Sequence, residues 1–188
     1  LNGDHMHSSF CCLFLSIVFV TLVGCGKDAK ETTDSSTADG SVGSAQIPPT
    51  GAAAIEAWIA AKHYLSWNCE AAPHTSRAPS PHGRNRICSN DLLSAHGTGE
   101  YPVGSASVKE LYDTTGATPA GYAVYLHHKA GTSGADWYWY ERLPGRTSAF
   151  ADGTGDSGTA KSSCAGCHSL AGSNASNSGH DFVFTQVK

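Results

Sequence analysis

The sequence predicts an α+β domain built mainly on an antiparallel β-sheet, with an N-terminal helix and a short helix around residues 164–168. Three observations carry this reading. Apolar residues recur at helical spacing in residues 51–67 (GAAAIEAWIAAKHYLSW). The following runs are short and rich in aromatic and branched residues, as strands prefer. Brief Gly- and Pro-containing segments separate them, which favours a meander of neighbouring antiparallel strands.

In order along the domain, Thr50 is a candidate cap for the helix, with Glu56 and Lys62 outward and Ile55, Trp58, Ile59 and Leu65 toward a core. Arg84 to Ser89 is a short candidate strand, and Asp91 can cap a helical turn through Leu92 and Leu93. Ser105 to Tyr112 alternates, with Val108 and Glu110 on one side and Lys109 and Leu111 on the other. Gly121 to Lys129 and Asp136 to Leu143 are the strongest strand candidates. Gly131 to Gly134 and Pro144-Gly145 supply turn chemistry. Residues 145–163 are small and polar and lead into a helical turn, and Asp181 to Thr185 reads as a last apolar strand.

The N-terminal part reads differently. Phe10 to Val23 is an apolar run broken only by Ser16 and Thr21, short for a membrane span and suited to the core of a secretory signal. It ends in Leu22-Val23-Gly24-Cys25, which resembles the lipobox of bacterial lipoproteins, where Cys25 would become the lipidated N-terminus. Met6 reads as the start, with Leu1 to His5 upstream of it. Residues 1–25 are thus expected to be a signal peptide, and residues 26–50, poor in large apolar side chains, a flexible tether with a reach of about 25–30 Å. Residues 51–188 form the folded domain. The expectation is an exported, periplasmic protein held at the outer membrane of a Gram-negative bacterium by its lipid alone. Gly26, in place of the aspartate that retains such proteins at the inner membrane, points the same way.

A net charge of -4, without a basic stripe, excludes nucleic acid as a partner. Of the seven cysteines, Cys11 and Cys12 leave with the signal and Cys25 takes lipid. Cys164-Ala165-Gly166-Cys167-His168 is a CxxCH motif. Two thiols at this spacing can each add across a vinyl group of haem, and the adjacent histidine is placed to ligate the iron. The motif predicts one covalently attached haem c, held by Cys164 and Cys167 with His168 as proximal ligand. A redox CxxC or half a zinc site are the competing readings. Cys69 and Cys88 remain, and in an oxidising compartment they read as a disulfide worth roughly 3 kcal/mol, or else as two buried thiols.

The only methionine, Met6, would be lost with the signal, so no methionine remains to take the sixth position on the iron. That position is either open or filled by one of His63, His74, His82, His96, His127, His128 and His180. The histidines of the His/Pro-rich stretch Ala72 to Gly83 match no metal-site spacing, and that stretch reads as a surface loop.

Gly104 to Leu111 (GSASVKEL), the aromatic strand around Trp137 to Tyr140, and a tail combining CAGCH with Asp181-Phe182-Val183-Phe184-Thr185 resemble the cytochrome P-460 and cytochrome c′-beta family of bacterial haem proteins. The likeness spans residues 52–188. It implies a sheet-rich homodimer. Members of the cytochrome P-460 type oxidise hydroxylamine and bond a lysine to a meso carbon of the haem, and Lys109 matches that lysine. Members of the c′-beta type lack the bond and bind nitric oxide or carbon monoxide under an apolar cap. Oxidation would need a redox partner protein to take electrons and a carboxylate to take protons. Glu110, Glu141, Asp152 and Asp156 are the candidates. The resemblance thus implies a hydroxylamine-oxidising enzyme acting on a small nitrogen compound. A gas-binding protein or a bis-histidine electron carrier are the alternatives.

Overall fold

The computed structural model describes residues 47–177 and 179–188. The expected signal sequence, Cys25 and all but the last residues of the tether lie outside the described residues. Among the described residues no helix is long and apolar enough to cross a membrane.

The fold is α+β and dominated by one antiparallel sheet. A helix, α1 (Ala52–Ala60), precedes strands β1 (Asn68–Cys69), β2 (His74–Thr75) and β3 (Arg84–Ser89). A helical turn, α2 (Asp91–Ser94), leads to β4 (Ala106–Tyr112), β5 (Gly121–His127), β6 (Trp137–Arg142) and β7 (Ala151–Thr154). Strands β3 to β7 pair in sequence order as the expected meander, and β1 and β2 both pair with β3. Cys69 lies opposite Cys88 in the β1–β3 register, and the two are joined as a disulfide.

The sheet is buried on both faces, because alternate residues of each strand meet different partners. One face presents Cys88, Ala106, Val108, Val124, Leu126 and Tyr140, packed against Ile55, Trp58, Ile59, Tyr64 and Trp67. Glu110 also lies on this face and is satisfied there: Tyr64 and Tyr112 donate to its carboxylate at 2.8 and 2.7 Å, and Arg86 approaches at 3.3 Å. The other face carries Lys109, Tyr125, Trp139 and Glu141 and is covered by the C-terminal part of the chain.

Several local expectations are corrected. Gly51, at φ 91°, occupies the position before α1, and no side chain caps the helix. The helix stops at Ala60, and Lys62 turns left-handed into a 3-10 turn at His63–Ser66. This rotation buries Tyr64 and Trp67 and leaves Leu65 44 % exposed, so Leu65 does not join the core. Glu56 is not free in solvent: Arg142 Nε donates to it at 2.6 Å and Tyr140 also bonds it. Although burial alone would raise it, these partners hold the Glu56 carboxyl below its ordinary pKa. Asn90, not Asp91, caps α2 by accepting from the Leu93 amide at 3.1 Å. The small, polar Ala151–Thr154 forms an edge strand that its composition concealed. Asp181 to Thr185 is a tight turn closed by a His180–Val183 bridge, not a strand.

Ile55→Ala, which truncates a fully buried side chain, should lower the unfolding free energy by about 2–5 kcal/mol. Leu65→Ala should change it by less than about 0.5 kcal/mol. Urea unfolding of both variants checks whether the core follows the corrected helix boundary.

Candidate functional site

A cavity of about 500 Å³ lies over the second face of the sheet, a volume suited to a small-molecule or cofactor site. Register places its floor. Ile87 pairs with Lys109, Lys109 with Ala123, and Ala123 with Glu141, so these residues form one row across β3, β4, β5 and β6. The next row is Ser107, Tyr125 and Trp139. All of these side chains line the cavity. Ala123, small and central, leaves space between the Lys109 and Glu141 side chains.

The CxxCH segment forms the facing wall. A π-helical segment, Ala160–Ala165, runs directly into α3 (Gly166–His168), so Cys164 and Cys167 lie one turn apart. Close packing brings this helix to the sheet: a methyl group at Gly155 would collide with the Gly134 carbonyl, Ala165 Cβ and the Trp139 indole. Cys164, Cys167 and His168 all open on the cavity.

His168 is held in one tautomer. The Phe182 carbonyl can only accept, so His168 Nδ1–H donates to it at 2.6 Å, and Nε2 keeps the lone pair. Tyr125, Trp139 and Phe184 surround the ring, with centroids 5.6, 4.7 and 5.2 Å away. Burial pushes its pKa down to about 3, against the Phe182 hydrogen bond and aided by the Lys109 charge, so the imidazole is neutral at physiological pH. A neutral histidine with one nitrogen tied to a carbonyl is the form that ligates a metal.

The two cysteines are not joined to each other. Burial, with the charges of Glu141 and Cys167, pushes the Cys164 thiol up to about 12. A redox CxxC needs the opposite, a thiolate stabilised at a helix N-terminus, and here the motif lies inside and at the end of a helical segment. Among the described residues no group of three or more His, Cys, Asp or Glu side chains is arranged to hold a bare metal ion.

Lys109 is half-buried in the floor. Burial lowers its pKa to about 8, the charges of Glu141 and Glu70 pulling the other way. Of the four candidate acids, the structure brings only Glu141 to the cavity. Glu110 faces the opposite core, Asp152 binds the Ala52 amide and Tyr138, and Asp156 binds Thr154. Glu141 Oε1 is buried and has no hydrogen bond of proper geometry, although His82 Nδ1 lies 2.9 Å away as a charge contact.

Of the seven candidate histidines, only His74 and His82 reach the cavity. Both ring nitrogens of His74 are engaged, with Thr75 O at 2.6 Å and Glu70 at 2.9 Å. His180 stacks on Tyr101, His127 bonds the Gly131 carbonyl and His128 the Ala135 carbonyl. His63 lies beside Trp58 on the far face, and His96 packs on Tyr101. The stretch Ala72 to Gly83 is therefore more than a surface loop, because Arg77 to His82 line the cavity. Sequence reasoning raised His82 only as a possible iron ligand, not as a neighbour of Glu141, and missed Phe150, which lies on no periodic segment.

Comparison with models of known protein families and with curated protein sequences finds no match to this chain.

In the apoprotein, acylation of Lys109 by an amine-selective reagent should rise through a midpoint near pH 8, because only the neutral amine reacts. An ordinary lysine titrates near about 10.4. Peptide mass mapping across a pH series measures this, and a midpoint in the ordinary range would place Lys109 outside the buried floor.

Proposed function

We propose that the chain is an exported mono-haem c-type protein of the cytochrome P-460 type that oxidises hydroxylamine or a similar small nitrogen compound. The observation that carries this reading is the convergence of Cys164, Cys167, His168, Lys109 and Glu141 on one cavity. These residues fit haem: two thiols one helical turn apart, a neutral imidazole with Nε2 to offer, apolar walls, and a buried carboxylate short of a hydrogen-bond partner.

Cys164 and Cys167 would carry the thioether links and His168 the proximal bond to iron. Bound haem would supply a redox-active iron and a macrocycle through which electrons could pass to an outside acceptor. The chain supplies the rest. Phe182 holds the His168 ring, and Tyr125, Trp139 and Phe184 keep water from it. Lys109 stands in the floor with an amine that burial leaves neutral above about pH 8, the state a nitrogen needs to form a bond. Glu141 is the base: each electron pair removed from hydroxylamine releases two protons, and this is the candidate carboxylate of the sheet that faces the cavity. A redox partner protein would take the electrons. The lipid on Cys25 would hold the domain in the periplasm at the outer membrane, and the resemblance adds a homodimer.

A second reading is supported by the apolar part of the lining. Ile87, Ala123, Leu143, Phe150 and Phe184 would suit capture of nitric oxide or carbon monoxide without turnover.

Optical spectra and intact mass of the holoprotein separate the two. The first reading expects a strongly red-shifted ferrous Soret band and a third covalent link at Lys109. It also expects Glu141→Gln to lower hydroxylamine turnover by about 10²–10⁴-fold while carbon monoxide binding persists. An ordinary c-type spectrum with two thioether links alone, no turnover and tight gas binding would favour the second. A low-spin spectrum would reject both in favour of bis-histidine ligation.

A further inference from the structure

The β2–β3 connection is a short hairpin loop whose ends are fixed by the strands that flank it. The Ser76 amide donates to the Gly83 carbonyl at 2.8 Å, and Asn85 Nδ2 donates to Ser76 Oγ at 2.8 Å. Glu70 anchors the same hairpin: its carboxylate accepts from the Ile87 amide at 2.8 Å, meets Arg77 at 2.8 Å and meets His74 at 2.9 Å. Burial alone would raise the pKa of Glu70, but these three partners hold it below its ordinary value. Pro79 and Pro81 restrict the backbone on either side of Ser80. The loop is therefore a constrained arch, and it carries His82 over the cavity.

His82 meets Glu141 there. The two side chains are 16 % and 6 % exposed, and Nδ1 of His82 lies 2.9 Å from Glu141 Oε1. The contact falls short of hydrogen-bond angle, as acid–base pairs often do before substrate binds. A buried carboxylate needs a partner. Lys109 is in the same row but two strands away, roughly 10 Å at the backbone. His82 is the group at contact distance. Facing the pair are Lys109 from β4, His74 from β2, Arg77 from the loop and His168 from α3, with Glu70 behind the loop.

We propose that His82 is the positioning and proton-transfer partner of Glu141. The loop between Cys69 and Cys88 presents its imidazole to the cavity so that the carboxylate is held in place and its proton has a way out. This rests on the hydroxylamine reading above. When an N–H or O–H bond of the substrate breaks, the proton passes to Glu141 and the electrons pass to a one-electron acceptor supplied from outside. Glu141 then returns to carboxylate by giving the proton to His82 Nδ1, and the imidazolium so formed holds the carboxylate through Nδ1–H until the ring swings to the cavity mouth and gives that same proton to water. The ring returns as the Nε2–H tautomer, ready for the next proton.

The test uses the full-length holoprotein and its His82→Gln, His82→Ala and Glu141→Gln variants, with hydroxylamine and an excess of a one-electron dye as acceptor. The infrared C–O stretch of the ferrous carbon monoxide adduct is recorded for each. Both His82 variants should lower kcat at least about tenfold and leave KM within about twofold. Added imidazole should restore part of the rate to His82→Ala. The C–O band should shift in His82→Gln and in Glu141→Gln, since both changes disturb one carboxylate. Wild-type kcat and an unshifted band in His82→Gln, beside a slowed Glu141→Gln, would overturn the proposal and leave the hydroxylamine reading standing. If wild-type protein turns over no hydroxylamine, that reading and the proton route fall together, and the band alone decides whether His82 positions Glu141. Conversion of a low-spin spectrum to high-spin in His82→Ala would overturn the proposal by placing His82 on the iron.

Discussion

The register of β4, β5 and β6 is the constraint on which the site depends. Side chains alternate across a strand, so a slip of one residue would turn Lys109 and Glu141 into the α1-packed core and bring the Val108 side chain to the cavity. The register is locked from the opposite side. Val108, Val124 and Tyr140 form the matching row there, packed with Ile55, Trp58 and Ile59. The apolar core thus does more than stabilise the domain: it decides which charged residues share a cavity.

This arrangement has an energetic cost that apolar packing would not carry. A floor of aliphatic residues would be more stable than one containing a lysine and a carboxylate, because burying charge is unfavourable even when it is paired. The depressed pKa of Lys109 is the direct sign of that cost. By contrast, Glu110 on the core face is satisfied by two tyrosine hydroxyls and Arg86. Glu110 on the core face is fully partnered, whereas Glu141 on the cavity face is left with capacity to spare, which is the pattern expected where function displaces packing.

What could be read in the sequence follows the same division. The Cys164–His168 motif is contiguous, so its chemistry needs no tertiary information, and the aromatic strands announce themselves by composition. Lys109 is different, since an alternating strand lysine is ordinarily solvent-facing and only the family resemblance singled it out. Choosing Glu141 among four acids requires the inter-strand register, which no single strand encodes. His82 reaches the cavity through an aperiodic, proline-rich loop whose path depends on Glu70 and on the strands it joins. The tail misled for a local reason. Asp181-Phe182-Val183-Phe184 has the composition of a strand, but Asp181 and Phe182 adopt φ of 44° and 66°, where side chains are disfavoured.

Those two left-handed residues connect the backbone to the chemistry. Each costs on the order of 1–2 kcal/mol relative to ordinary backbone, and neither is glycine. A strand through this segment would have avoided that cost, but strand carbonyls point sideways toward neighbouring strands. The turn instead directs the Phe182 carbonyl to His168 Nδ1, while the His180–Val183 bridge and the fully buried Val183 pin the tail beneath the sheet. Burial alone would make His168 a neutral ring of either tautomer. The strained carbonyl selects the one whose Nε2 can accept a metal. The same tail packs Phe182 against Trp139 and Phe184 against His168, so the backbone strain and the apolar shell around the imidazole are parts of one device.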